Sequence, residues 1–517
     1  MGNVVSRIIS KVVANRLKPM LPNVISDSQS AFVPGRIIID NTTVAFEMLH
    51  RMRNRTKGKK GHMAVKLDIS KAYDRVEWEF LQWIMQKIGL PEQWVNLAME
   101  TVCTASYSTL INGEPRGFIT PTRGLKQGDP LFPYLFLLCA EGLSPLIWQA
   151  VDSHLLKGVV SCHGGVKVSH LLFAYDSLLF CEETTEECRN LLNILAMYER
   201  ASSQAINRQK TILFFSPNTK QLVKFAIQHM LGAQIMTSCE KYLGLPMVGG
   251  KSKVSTFREV QERVTKKVKG WKEKNISKAS REVLIKMVTQ SIPTYSMSMF
   301  KIPKRICNDI NSVLAKYWWA QTRDEKKVHW IKWSKLCTLK DRGGMEFRDI
   351  HAYNLAMLAK QAWRLIQGSH SLFFSVYKAC YFPTCSFMEA VLGSNPSYVW
   401  RSLLEAKELI RAATVWKVGD GRSIKLEDNR WLPHPPKFQP NANMNLRVSD
   451  LFDPGTKQWH THVLHANFMH STVEDIQRIN LKDTHSRDEL IWKENKNGIF
   501  SVSMAYRVAI RLEEDKI

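Results

Sequence analysis

The sequence predicts an α+β fold in which helices cover an antiparallel sheet. Two observations carry that expectation. Short apolar runs, AVKLDI (64–69), VKVSHLLFAYDSLLFCE (166–182) and TILFFS (211–216), have the length and the branched or aromatic content of strands. Between them lie stretches such as TEECRNLLNILAMYERASSQAI (185–206), whose apolar residues recur three and four apart as on one face of a helix.

Taken in order, VVSRIISKVVANRL and its neighbours (4–20) read as an amphipathic helix, and SDSQSAFVPGRIIIDN (26–41) as a loop punctuated by Ser, Pro and Gly. TVAFEMLHRMRNRT (43–56) is a second helix, followed by a basic turn over 56–62. After the strand 64–69, residues 70–90 continue as a helix that Gly89 and Pro91 end. YSTLINGEPRGFITP (107–121) has the pattern of a hairpin turning at Asn112 and Gly113. Beyond the turn-rich GLKQGDPLFP, residues 134–151 form a buried helix, and 166–182 form two strands joined at Ala174 to Asp176. From Lys251 to Lys286 twelve Lys or Arg stand against four Glu on a helical pattern interrupted at Gly270. The Trp-rich remainder from about 320 reads as one or two further domains.

A chain of 517 residues with 44% hydrophobic content can bury a core in each of about two to four domains. Its 72 Lys and Arg against 47 Asp and Glu give +25, which favours a polyanionic partner. Ten cysteines with no CxxC pair read as reduced thiols, which places the protein inside the cell, nuclear or cytoplasmic rather than secreted. The N-terminus lacks the unbroken apolar core of a signal peptide, although MGNVVS loosely fits an N-myristoylation pattern. No run reaches the roughly 18 to 20 uncharged apolar residues of a membrane span, so no membrane is expected as a partner.

Asp68 and Asp176 each stand at the polar end of an apolar strand, about a hundred residues apart. Nucleotidyl transfer needs two divalent ions about 4 Å apart, held by carboxylates on neighbouring strands, and magnesium asks for few protein ligands. Taken singly, such an aspartate is more often a turn former or a helix cap.

Order and spacing add to this. KLDISKAYDRVEWEFL, GLKQGDPLFPYLFLL, HLLFAYDSLLF, INRQKTILFFS and KYLGLPM resemble, segment by segment, the reverse transcriptases of LINE-type (non-LTR) retrotransposons in their plant form. NVVSRIISKVVANRLKPMLPNVISDSQSAFVPGRIIIDN is similar to the fingers region of that family. GWKEKNISKASREVLIKMVTQSIPTYSMSMFKIPK, WKVGDGRSIKL and WKENKNGIFSVSMAY resemble the segments C-terminal to its polymerase core. The resemblance implies a right-hand polymerase: partial fingers over 1–60, a palm with an antiparallel sheet over 61–250, a basic helical thumb over 251–320, and a mainly helical or mixed connection region over 321–517. It also implies a truncated copy, without the upstream nuclease or the downstream zinc-binding and ribonuclease H-like parts of the family.

The same resemblance implies roles for single residues. Asp68, the carbonyl of Ile69, and Asp176 would hold two Mg2+ ions, and Lys210 would shield or protonate the pyrophosphate. Arg36 would grip the triphosphate of a deoxynucleotide, Tyr73 would exclude the ribose 2′ hydroxyl, and Gln127 with Gly128 would touch the template base or the incoming nucleotide. YLGLPM would set the primer end, and the thumb lysines would track an RNA template and DNA primer. The family reads Phe-Ala-Asp-Asp where this chain reads Phe-Ala-Tyr-Asp, so Tyr175 replaces an aspartate expected to share both ions. A phenol is neutral at pH 7 and a poor ligand for magnesium, so the polymerase is expected to be weak. A second departure, Phe132 in place of Ser after GDPL, puts a bulky ring near the Gln127 loop. The alternative is an inactive nucleic-acid-binding transposon remnant.

Overall fold

In the computed structural model, residues 4–58, 60–236, 241–246, 252–272, 276–319, 328–368, 371–481, 486–495 and 497–515 are described. The chain divides into two units, Met1–Lys251 with Gly368–Val399, and Ser252–Gln367 with Trp400–Ile517.

The first unit is built on a five-stranded sheet. We label its strands β1 (His62–Leu67), β2 (His170–Phe173), β3 (Asp176–Glu182), β4 (Ile212–Phe215) and β5 (Gln234–Ile235), lying in the order β5-β4-β1-β3-β2. All neighbours run antiparallel except β4 and β5. Alternation along β1 does what period two requires. Met63, Val65 and Leu67 pack with Leu143, Ile147, Leu191, Leu195 and Tyr198 of the helices Leu143–Asp152 and Thr185–Ser202. Ala64, Lys66 and Asp68 follow the opposite parity. A second core joins the helices Val4–Leu17, Trp78–Lys87, Glu92–Cys103 and Phe132–Glu141.

Several expected elements shift. The helix after the first loop spans Ile38–Asn54 and so begins inside the stretch read as loop. Its Asn41 is buried, donating from Nδ2 to the Leu172 carbonyl of β2 (2.9 Å) and accepting from the Tyr242 hydroxyl (2.7 Å). Residues 71–75 are turn and 76–77 irregular, not helix, starting from Lys71 at a φ of 48°. The hairpin is present as Tyr107–Ile111 and Glu114–Ile119, with positive φ at Asn112 and Gly113 and all its strand residues exposed. Among the described residues one stretch, Phe132–Asp152, is long and apolar enough to cross a membrane by length and composition, although Glu141 interrupts its uncharged run. It is 61% buried, so most of it packs within the protein.

Residues 368–399, which the sequence assigns to the C-terminal region, belong to the first unit. Their helix Leu372–Tyr381 lies on Ile38–Asn54: the Tyr381 hydroxyl donates to the buried Glu47 (2.8 Å) and that of Tyr377 to the Thr43 carbonyl (3.4 Å).

In the second unit the basic helix runs unbroken through Gly270, spanning Lys253–Lys272. It buries Phe257, Val260, Val264 and Val268 at spacings of three and four, while Arg258, Arg263, Lys266, Lys267 and Lys269 are exposed. The helices Ile350–Gln367 and Val502–Glu514 pack together, and strand Thr414–Lys417 pairs with Glu489–Trp492. A separate core gathers Ile424, Trp431, Leu451, Phe468 and Ile476.

Candidate functional site

The register of β1 and β3 decides where the two aspartates stand. Leu67 is opposite Ser177, so the next position on each strand brings Asp68 and Asp176 together at the polar end of the sheet, both half-buried. Burial raises the Asp176 pKa, with the Asp68 charge adding to it and Lys66 opposing. Two carboxylates in one partly dry corner repel each other, and a cation between them relieves that repulsion.

The hairpin between β2 and β3 closes at Ala174 and Tyr175, with Phe173 paired to Asp176. Ala174 sits at a φ of 54°, a region that strains an alanine. Gln29 holds it there. Its buried Oε1 accepts from the amides of Ala174 and Ala31 (both 3.0 Å), and the flanking backbone joins Ser28 and Ser30 to Leu172. Tyr175 stands at the tip, 47% exposed.

Tyr73 reaches the same corner. Its ring stacks on Phe136 at 4.7 Å, and burial raises its pKa, with the Tyr175 phenol adding to the shift. The GLKQGDP loop is laced to the turn that carries Tyr73: Leu125 donates to the Tyr73 carbonyl and Gly124 to that of Val76 (both 2.8 Å). A Cβ on Gly124 would stand 2.8 Å from the Asp74 carbonyl oxygen, at a φ of 91°, so only glycine fits there. Gln127 and Gly128 are exposed on this loop, and Asp129 ties it down by accepting from Ser10 (3.0 Å) and the Leu131 amide (2.9 Å).

On the other side of Asp68, Ile69–Ser70 pairs with Ala205–Ile206, and the Asn207 amide donates to the Asp68 carbonyl (2.7 Å). Lys210, exposed, comes next in the turn that Asn207 closes. The segment Lys241–Pro246 forms a hairpin with positive φ at Leu243 and Gly244; Lys66 donates to its Lys241 carbonyl (3.3 Å), and Met247 lies outside the described residues.

Two expected contributors are engaged elsewhere. The Arg36 guanidinium turns into its own loop, donating to the carbonyls of Ser26, Gln29 (2.7 Å), Ile25 (2.9 Å) and Pro22 (3.5 Å) and pairing with Asp27 (3.2 Å). These contacts all fall on Nη1 and Nη2 and hold the guanidinium within its own loop, so in this structure Arg36 braces the Gln29 loop. Phe132 is 3% exposed within the helical core beside Leu135 and Phe136, so its ring fills the core and does not obstruct the Gln127 loop. Sequence reasoning missed Gln29, Asn41 and Lys66. The first two are ordinary polar residues until the strands they bridge are known, and Lys66 differs from any surface lysine only in facing the same way as Asp68.

Among the described residues no three His, Cys, Asp or Glu side chains gather as a metal site. Asp68 and Asp176 do fit a hard cation as a pair, since oxygen donors are what magnesium takes. A third carboxylate would come from position 175, which is tyrosine.

Residues 1–247 match the family model described as reverse transcriptase (RNA-dependent DNA polymerase). Residues 1–247 form a reverse transcriptase domain. It is of the non-LTR retrotransposon type, with the reverse transcriptase fold, and such enzymes are typically magnesium-dependent. Its relatives include an uncharacterized mitochondrial protein of Arabidopsis thaliana, 38% identical over 28% of this chain and 98% of that one. A putative ribonuclease H protein of the same plant is 30% identical over 51% of this chain and 44% of its own length. The Pol polyprotein of a type-1 retrotransposable element R2 from Nasonia vitripennis is 26% identical over 43% of this chain and 20% of its own. The chain thus spans less than half of the two longer relatives.

Proposed function

We propose that the first unit is an RNA-directed DNA polymerase whose metal site has lost its central carboxylate. The observation that supports this is the register that sets Asp68 beside Asp176 with Tyr175 at the adjoining tip. In this reading Asp68, the Ile69 carbonyl and Asp176 hold Mg2+, which when bound would activate the primer hydroxyl and neutralise the leaving pyrophosphate. Tyr73 bounds the sugar pocket of a deoxynucleoside triphosphate, Gln127 and Gly128 meet the nascent base pair, and Lys210 approaches the pyrophosphate. Arg36 contributes through the loop it braces. Partial fingers over 1–60, palm over 61–250, thumb over 251–320 and connection over 321–517 remain the division of labour we favour. All nine described cysteines are free thiols, in keeping with work inside the cell, in nucleus or cytoplasm.

A primer-extension assay on an RNA template tests this, comparing the chain with Tyr175→Asp and with Tyr175→Asp/Asp68→Asn. Extension that rises with the first change and vanishes with the second is expected. No extension in any of them, with RNA still bound, would refute it.

The second reading, a nucleic-acid-binding remnant without polymerase activity, rests on the second unit. There Arg258, Lys266, Lys269 and Arg305 line a groove of about 550 Å³ between the helices Lys253–Lys272 and Lys304–Trp319, with Glu262 and Asp309 also on its wall. Such a groove binds phosphates with an affinity that falls steeply with salt. Filter binding of a template duplex across a salt series tests it, and a flat series would sink it.

A further inference from the structure

The end of β1 opposite Asp68 opens into a cavity of about 460 Å³ within the first unit. Six residues of rise separate His62 from Asp68, so the cavity lies about 20 Å from the aspartates and is no part of that site. Arg51, Met52 and Arg55 form one wall, at the C-terminal end of the helix Ile38–Asn54; His62 is at its back, and Cys162 and His163 come from the turn of the hairpin Val159–Val160/Lys167–Val168.

The charges there are unequal. Arg51 is answered by the buried Glu47 (3.3 Å), and Glu182, opposite His62 on β3, is paired with Lys157 (2.9 Å) and Lys60 (3.8 Å). Arg55 has no such acid among the described residues: its Nε donates to the Lys60 carbonyl (2.9 Å), which fixes the guanidinium at the cavity rim. The His62 Nδ1 is buried without a hydrogen-bond partner, an arrangement that costs free energy unless something outside the protein supplies one. Burial, helped by the Arg55 charge, lowers the His62 pKa to about 4, so the imidazole is neutral at pH 7 and the charge left for an anion to answer is that of Arg55. Val160, 49% exposed, adds an apolar surface.

We propose that this cavity binds one nucleotide unit of a single-stranded nucleic acid, its phosphate between Arg55, His62 and His163 and its nucleoside against Val160. A strand, and not a free nucleotide, is favoured by what adjoins the mouth: the loop after Arg55 exposes Lys57 and Lys60, which continue the positive surface along a path for further phosphates. The site would anchor an RNA or DNA strand well away from the place of synthesis. It does not depend on the metal site.

Cys162 is half-buried in the cavity lining and reports occupancy without any need for polymerase activity. The full chain is labelled with a maleimide, with and without a 12-mer oligouridylate, and each cysteine is followed by mass spectrometry. The oligonucleotide is expected to slow labelling of Cys162. Arg55→Ala/His163→Ala is expected to weaken that protection about tenfold, and to reduce its dependence on log salt concentration by about one. Both side chains are exposed, and His163→Gln alone serves as a milder check should the double variant fold poorly. Uridine monophosphate protecting Cys162 as well as the 12-mer does would keep the phosphate chemistry but assign it to free nucleotides. Labelling that ignores both ligands, or protection that both variants leave unchanged, would overturn the proposal. Loss of extension in Asp68→Asn with Cys162 protection intact would separate the two sites.

Discussion

Replacing Tyr175 by aspartate returns a carboxylate to the corner shared by Asp68 and Asp176, and the size of the effect can be worked out. A carboxylate about 4 Å from a divalent ion attracts it by ~8 kcal/mol at an effective dielectric constant of about 20, twice the value for unit charges. The register puts the new charge about 6 Å from each existing aspartate, and the two repulsions, ~3 kcal/mol each, destabilise the ion-free fold. They are present with and without the ion and cancel from its affinity; dehydration of the ion and screening at a position 47% exposed offset most of the attraction, and the expectation is between about tenfold and a hundredfold in magnesium affinity. The assay is a magnesium titration of the melting temperature, since an ion that binds only the folded chain stabilises it by mass action. Without magnesium Tyr175→Asp should melt below the parent, because three carboxylates crowd one corner; with magnesium it should overtake it. Equal midpoints for the two chains, both folded, would refute the reasoning.

Asp176→Asn isolates the proton linkage. Burial and Asp68 raise the Asp176 pKa above its ordinary 3.8, so ionised Asp176 disfavours the folded state, and this penalty sets in as pH rises through the folded pKa. The asparagine variant should therefore melt higher than the parent at pH 7, with the gap closing as pH falls towards 4, as calorimetry would show. Gln29→Leu strips acceptors from two buried amides, those of Ala31 and Ala174, and should cost about 2–4 kcal/mol in urea unfolding. Gly124→Ala forces a Cβ against the Asp74 carbonyl at positive φ, so a loss of ~1–3 kcal/mol is expected, read as a lower unfolding midpoint.

What the sequence made legible was whatever local periodicity encodes. β1, β2, β3 and β4 stood out because alternating or wholly apolar runs of four to seven residues have few other uses, and the two aspartates stood out because each ends such a run. Contacts between distant segments were not legible. Asn41 looked like a loop residue because a buried amide that bridges β2 and Tyr242 has no local signature. Arg36 looked like a phosphate ligand because its chemistry suits one, and only the folded loop shows carbonyls taking its donors. Residues 71–77 kept a helical spacing, yet Lys71 at positive φ breaks the run. Gly270 misled in the other direction, since a helix anchored by Phe257, Val260, Val264 and Val268 tolerates one glycine. The pairing of Thr414–Lys417 with Glu489–Trp492 spans too much intervening chain for any window to reveal.

The return of residues 368–399 to the first unit has a practical consequence for anyone who wishes to isolate that unit. A fragment stopping near 250 would strip the Tyr377 and Tyr381 side chains from the helix Ile38–Asn54 and leave the buried Glu47 without its phenol donor. Such a fragment is expected to precipitate, whereas adding the missing stretch through a short engineered linker should rescue it. Excision along the linear chain is the wrong cut for a body assembled from two separate stretches.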